Sequence, residues 1–365
     1  MISRRIRAGS HNEAETAVRG PATATVAQLS EFDEVIDVRS EGEFAEDHIP
    51  GAVNCPALDN MERARVGTIY KQVSAFEAKK LGAALIAANI ARHLRERFLG
   101  RPREWRPLIY CWRGGNRSGA FAHVFSQVGW HVGQLDGGYQ AYRRAVVAEL
   151  ASLPRKFRWR VVCGLTGAGK SRLLRALAGL RAQVLDLEAL AAHRGSVLGH
   201  LPEEPQPTQK MFESRIWKAL TAFDRSRPVY VEAESKKVGE RRVPEALIEA
   251  MWGSECVVLE APLEVRVELL KREYAHFLKQ PETLVARLES LAPLHGHALT
   301  ARWKELAAAR RFDELTEDLL VRHYDPAYTR AIGKHYPALP RAMKLELRDA
   351  DDGAFDALAR QCLAE

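Results

Sequence analysis

Two α/β domains in tandem, the second carrying a helical C-terminal extension, are what this sequence predicts. Three observations support that class. The chain has 365 residues, more than the roughly 150 typical of one domain. Short β-rich runs alternate with helix-period runs twice over, from 27 to 144 and again from 160, the pattern of βα units on a parallel sheet. Beyond about 262 the strand signals stop and helical periodicity takes over. Hydrophobic residues at 46% and charged residues at 28% exclude global disorder. The longest apolar run, 81–91, is interrupted by Asn89 and falls short of a membrane helix, so no membrane partner is expected.

Residues 1–24 are polar and lack a signal-peptide core, and they read as a flexible N-terminal extension. The first domain is expected over 25–145. There EVIDVRS (34–40) is a strand ending in charge, and GAVNCPAL (51–58) is a second extended piece. KKLGAALIAANIARHLRERF (79–98) has helical period, PLIYCW (107–112) is β-rich, and SGAFAHVFSQVGW (118–130) is helical again. Residues 146–158 hold a proline among arginines and lysines and read as a basic linker. A second α/β domain is expected over 159–300, with strands RVVC, AQVLDLE, PVYVEAES and ECVVLEA and, after the first of them, the glycine loop GLTGAGKS that makes it a P-loop domain. The helical extension would occupy 301–365.

The five cysteines are odd in number and scattered, which argues against a disulfide framework or zinc site and for a reducing, cytoplasmic setting. Cys111 stands apart. An apolar strand delivers it to a loop of Trp112, Arg113, Gly114, Gly115 and Asn116, and a helix is expected to begin near Arg117 and Ser118. Consecutive glycines let backbone N–H groups converge on an anion, and a helix N-terminus adds positive potential. With Arg113 and Arg117 this environment should favour the thiolate. Two chemistries use such a cradle: chalcogen transfer, and phosphoester hydrolysis through a cysteinyl phosphate. Five residues separate Cys111 from Arg117, as in cysteine phosphatases, although Tyr110 stands where those enzymes usually carry His. The run DVRSEGEFAEDHIPGAVNCP, with Gly137-Gly138-Tyr139 further on, resembles the rhodanese signature. That resemblance implies a rhodanese-like parallel-sheet domain in which Asp37 and Arg39 brace the cysteine loop.

The second constellation is GLTGAGKS, a full Walker A match between a strand and a helix. Gly164, Thr166, Gly167, Ala168 and Gly169 would wrap phosphate oxygens, Lys170 would neutralise charge, and Ser171 could hold magnesium. The motif marks a di- or triphosphate site without saying whether a nucleotide fills it. A clear Walker B strand is missing; Asp186, Glu188, Glu232 and Glu234, with Ser235 beside them, are candidates to hold magnesium or a water. His193, Arg194 and Ser196 follow a strand end, where α/β sheets keep their ligand crevice. Gln206 and Gln209 stand in a loop entering a helix, and they too are candidates to line the site.

A net charge of +7 suits either a moderately basic soluble protein or a nucleic-acid partner. Candidate RNA contacts are Arg155, Lys156, Arg158, Trp159 and Arg160, where charge alternates with aromatics, then Lys236, Lys237, Arg241 and Arg242.

The segments DVRSEGEF, ERARVGTIYKQ, CWRGGNRSG, GGYQAYR, GLTGAGKS, LDLEALAAHRGSVLG, QPTQKMFES and VEAESKKVG together resemble the tRNA 2-selenouridine synthase family. ERARVGTIYKQ is the most telling, since ordinary rhodaneses lack it. The resemblance implies a tRNA carrying wobble 2-thiouridine as partner. It implies S-geranylation from geranyl diphosphate, then replacement of sulfur by selenium from selenophosphate through a Cys111 perselenide. Both donors are co-substrates; no tightly bound cofactor is expected, with magnesium at Ser171 a candidate ion. The rival readings are a rhodanese-type sulfurtransferase fused to a nucleotide-binding regulatory domain, and an RNA-binding module whose cysteine loop senses redox state.

Overall fold

The computed structural model describes residues 20–196, 198–201 and 204–364. The polar extension read over 1–24 lies outside the described residues up to 19. Its last part is not extension: Ala22–Ala24 forms strand β1 and pairs with a strand over 100 positions away. The chain divides at Arg143 and Arg144 into two units, within the helix Gly138–Leu150.

The first unit is built on a parallel sheet. After β1 come β2 (Glu34–Asp37), β3 (Val53–Asn54), β4 (Pro107–Tyr110) and β5 (Gly133–Leu135), in the order β1-β5-β4-β2-β3. Ile36, Ile109, Phe121, Phe125 and Trp105 pack its core. Asp37 pairs in register with Tyr110, so the chain leaves two neighbouring strands at one edge, carrying Arg39 from one and Cys111 from the other. That edge is the carboxyl end of the sheet, where parallel folds place ligands. ERARVGTIYKQ forms part of the helix Asn60–Gln72, which Asp59 caps by accepting a bond from the Glu62 N–H at 2.7 Å.

The second unit repeats the plan. β6 (Trp159–Cys163), β7 (Gln183–Leu185), β8 (Val229–Glu232), β11 (Glu255–Glu260) and β12 (Met343–Glu346) form a parallel sheet ordered β12-β11-β6-β8-β7. Between β8 and β11 lies a small antiparallel hairpin of β9 (Lys237–Val238) and β10 (Arg241–Arg242). β6 is central, so the loop after it opens at the middle of the sheet. The segment 301–365 is mostly helical, yet it returns β12 to the sheet edge. Its final helix, Asp352–Ala364, packs Phe355, Leu358 and Cys362 into one core with Leu173, Leu174 and Leu177 of the helix after the P-loop. Each buried leucine contributes roughly 1.5–3 kcal/mol, so this extension helps hold the P-loop helix in place.

The stretch read as a linker, 146–158, is packed structure instead. It holds the end of the helix Gly138–Leu150 and a 3-10 turn, Leu153–Lys156, with Leu153, Pro154 and Phe157 buried. No helix among the described residues is long and apolar enough to cross a membrane.

Candidate active sites

The cysteine loop is held from three sides. From its own helix, Asn116–Val128, the Ser118 hydroxyl lies 3.2 Å from Cys111 Sγ. From β5, Gln134 Nε2 donates to Ser118 Oγ at 3.0 Å and to the Gly114 carbonyl at 2.6 Å. From the first turn of the helix Gly138–Leu150, the Tyr139 N–H donates to the Cys111 carbonyl at 2.8 Å. Gly138, at φ +56, has to be glycine: a Cβ there would stand 2.3 Å from the Cys111 oxygen. Burial opposes ionisation of Cys111. Hydrogen bonds from the Ser118 hydroxyl and N–H, the Arg117 charge and the Arg113 N–H outweigh it, and the thiol is lowered from its usual range.

The two arginines differ. Arg113 is exposed, as are Trp112, Gly115 and Asn116. Arg117 forms an ion pair with Glu43 at 2.9 Å, and Glu43 also meets Arg63 at 3.3 Å, so part of its charge is already balanced. Asp37 and Arg39 form a fully buried bidentate pair. Arg39 also donates to the Asp47 carbonyl at 2.6 Å, while the Tyr139 hydroxyl donates to the Asp47 carboxylate at 2.8 Å. The pair reaches Cys111 through Tyr139, a link absent from the sequence reading.

In the second unit, the P-loop runs from Gly164 to Ser171 and its helix, Lys170–Gly179, starts at Lys170. Lys170 Nζ donates to the Gly164 carbonyl at 2.7 Å and stands 5.3 Å from the Tyr328 ring centre. The Gly164 N–H donates to the Tyr328 hydroxyl at 2.7 Å. Arg266, buried, donates to the Thr166 carbonyl at 2.9 Å and forms an ion pair with Asp325. Gly169, at φ +89, sits where a Cβ would strike the Phe355 ring at 2.6 Å. Tyr328, Arg266 and Phe355 carry no motif that would announce them.

A cleft of about 1210 Å³ opens on this loop. Lys170 and Ser171 line it with Asp186, Glu188, Glu232 and Glu234. The Ser171 hydroxyl donates to Glu188 at 2.7 Å, and the Glu188 N–H donates to Glu232 at 2.9 Å. Burial, then repulsion from Glu188, pushes the Glu234 carboxyl up to about 8. Burial likewise raises Asp186, Glu188 and Glu232. Crowded carboxylates beside a P-loop serine suit a magnesium ion shared with a substrate's phosphates. Among the described residues no three His, Cys, Asp or Glu side chains form a metal cage of their own.

The remaining expectations divide. His193, Arg194, Ser196 and Ser235 line the cleft. Burial, with His200 and Arg287 nearby, holds His193 down at about 4, so it is neutral there. Gln206 and Gln209 do not line the cleft. Gln206 bonds Ala191 and Val238 carbonyls and the Glu240 N–H, and Gln209 brackets Arg242 backbone at 2.8 Å on both sides. Their amides are spent on clamping the β9–β10 hairpin. Trp159 is a correction too: it is 1% exposed, with its indole N–H on the Pro154 carbonyl, so it cannot stack on a base. Arg160 is turned to Tyr230, Cys362 and Glu255. Arg155 pairs with Glu249 and Arg241 with Glu240, while Lys156, Arg158, Lys236, Lys237 and Arg242 are exposed.

Residues 22–145 match the rhodanese-like domain, and residues 157–289 match the tRNA 2-selenouridine synthase AAA domain. A tRNA 2-selenouridine synthase of Nitrosomonas europaea is 32% identical, over 78% of this chain and 79% of that one. The chain belongs to the tRNA 2-selenouridine synthase family. A second relative of that name, from Hydrogenovibrio crunogenus, is 30% identical over 92% of this chain and 99% of its own. Members of the family are enzymes, and the match spans both units of this one. The rhodanese-like identity of the first unit and the P-loop identity of the second are thus established along with the α/β fold.

Proposed function

We propose that this enzyme converts wobble 2-thiouridine of tRNA to 2-selenouridine in two steps, one at each anion cradle. The observation that carries the reading is that one chain holds both a cysteine with a lowered thiol pKa and a complete P-loop. In the first step the 2-thio sulfur attacks carbon 1 of geranyl diphosphate. A carbon–sulfur bond forms, the carbon–oxygen bond breaks, and diphosphate leaves with the electron pair. Lys170 and the loop N–H groups between Thr166 and Ser171 take up that charge; Ser171 and the neighbouring carboxylates would hold a magnesium ion, which would add positive charge at the leaving group.

S-alkylation makes carbon 2 electrophilic and the sulfur a better leaving group. In the second step Cys111 carries selenium to that carbon. Its thiolate attacks the selenium of selenophosphate, and the selenium–phosphorus pair leaves on phosphorus as phosphite. The perselenide attacks carbon 2, geranylthiolate departs, and an added thiol reduces the remaining sulfur–selenium bond. The phosphatase-like spacing of Cys111 and Arg117 supports a second route. There the thiolate attacks phosphorus, hydrogen selenide is freed to attack carbon 2, and water releases phosphate from Cys111. Phosphite against phosphate in the spent reaction separates the two.

The exposed cations Lys156, Arg158, Lys236, Lys237 and Arg242 supply candidate phosphate contacts for the tRNA, in the cytoplasm. The deciding experiment incubates 2-thiouridine tRNA with both donors and reads the nucleosides by mass spectrometry. Cys111→Ala is expected to stop at S-geranyl-2-thiouridine, and Lys170→Ala to lose geranylation. Full selenation by Cys111→Ala overturns the assignment.

A further inference from the structure

The P-loop cleft continues into an apolar recess of about 70 Å³. Leu198, Phe277, Leu315 and Leu319 form its walls, and Thr166, Leu270 and Tyr324 line both spaces. Two of the polar groups at the junction are engaged: the Thr166 carbonyl accepts from Arg266, and the Ser196 hydroxyl meets the Tyr274 hydroxyl at 3.2 Å. A nucleobase entering here would leave its ring nitrogens without partners, at a cost of several kcal/mol. A hydrocarbon would lose nothing and would cover apolar wall.

We infer that the recess receives the end of an isoprenoid tail whose diphosphate the P-loop holds, and that its small volume limits the tail's length. This rests on the reading of the P-loop as an organic diphosphate site. The recess is far smaller than the roughly 300–1,000 Å³ of a whole-ligand pocket, so it takes only the chain's terminus. The rest of the tail lies in the main cleft, against Ala327, Ala331 and Ile332.

The test is isothermal titration of the full chain with magnesium and four ligands: inorganic pyrophosphate, and dimethylallyl, geranyl and farnesyl diphosphates. Affinity is expected to rise roughly a hundredfold from pyrophosphate to geranyl diphosphate, the scale set by burying a few methylene groups, and no further with farnesyl. Leu315→Trp, which fills the recess, should bring geranyl diphosphate down to the dimethylallyl level while pyrophosphate binding stays unchanged. Phe312 is a further wall residue; Phe312→Ala, which widens the recess, should move the preference to farnesyl and serves if the tryptophan variant does not fold. Equal wild-type affinity for pyrophosphate and geranyl diphosphate overturns the recess and leaves the head-group reading standing. A rise that continues to farnesyl overturns the length limit. Tight ATP binding without binding of any diphosphate overturns both readings.

Discussion

The Arg39 guanidinium lies 4.0 Å from the centre of the Tyr139 ring while its fork grips both carboxylate oxygens of Asp37. Tyr139 in turn donates its N–H to the Cys111 carbonyl, so a buried ion pair at the end of β2 orients the reactive loop after β4. Removing one partner of a buried pair leaves an uncompensated charge. Arg39→Ala is therefore expected to cost about 3–5 kcal/mol in urea unfolding. Arg39→Lys, which keeps the charge but neither forks nor stacks, should recover less than half of that loss. Full recovery by lysine would mean that charge alone matters here.

Ser118 offers a cleaner handle on reactivity. Its hydroxyl and N–H both favour the Cys111 thiolate, and Gln134 keeps the Gly114 carbonyl as a partner when the hydroxyl is gone. Ser118→Ala should leave the fold intact within about 1 kcal/mol. The thiol pKa should rise, slowing alkylation of Cys111 by iodoacetamide at neutral pH roughly three- to tenfold. The rate–pH profile reads this directly: its midpoint moves up while its alkaline plateau stays.

What the sequence disclosed and what it withheld follow one physical line. β2, β6, β8 and β11 are apolar runs closed by charge or glycine, β4 is an apolar run leading into the cysteine loop, and both anion loops sit between a strand and a helix, so local pattern exposes them. β12 is a half-exposed edge strand arriving after some eighty residues of helix, with nothing local to announce it. Trp159 was hidden by its neighbours: Arg158 and Arg160 suggested a surface, but the β6 backbone turns the indole between them inward. Tyr328 and Arg266 reach the P-loop from 164 and 100 positions away. Such partners exist only in the folded chain.

Glu234 gives the second unit a pH dependence with a defined sign. Burial first, then the Glu188 charge, raises its carboxyl from 4.5 to about 8. Between those values the folded protein keeps a proton that the unfolded chain has released. The stabilising contribution is therefore complete below about pH 4.5, falls as pH rises, and levels off above pH 8. Glu234→Gln cannot ionise. It should match wild type near the acid end and exceed it by up to about 5 kcal/mol at alkaline pH, roughly 1.4 kcal/mol for each pH unit between those two values. Urea midpoints measured across the range check this, and parallel wild-type and variant curves would rule it out.

The contact of Tyr328 with the P-loop has two separable parts. Its hydroxyl accepts from the buried Gly164 N–H at 2.7 Å, and its ring faces the Lys170 ammonium at 5.3 Å. Tyr328→Phe removes only the first. An orphaned buried donor costs about 1–3 kcal/mol, so thermal unfolding should occur earlier, while pyrophosphate affinity stays within about threefold because the cation–π face remains. Tyr328→Ala removes both and frees the lysine from its orienting surface. Its pyrophosphate affinity should fall roughly tenfold below the phenylalanine variant. Calorimetric titration of both variants distinguishes a positioning role for the ring from a purely structural one: a purely structural Tyr328 lowers stability in each and leaves the two affinities equal.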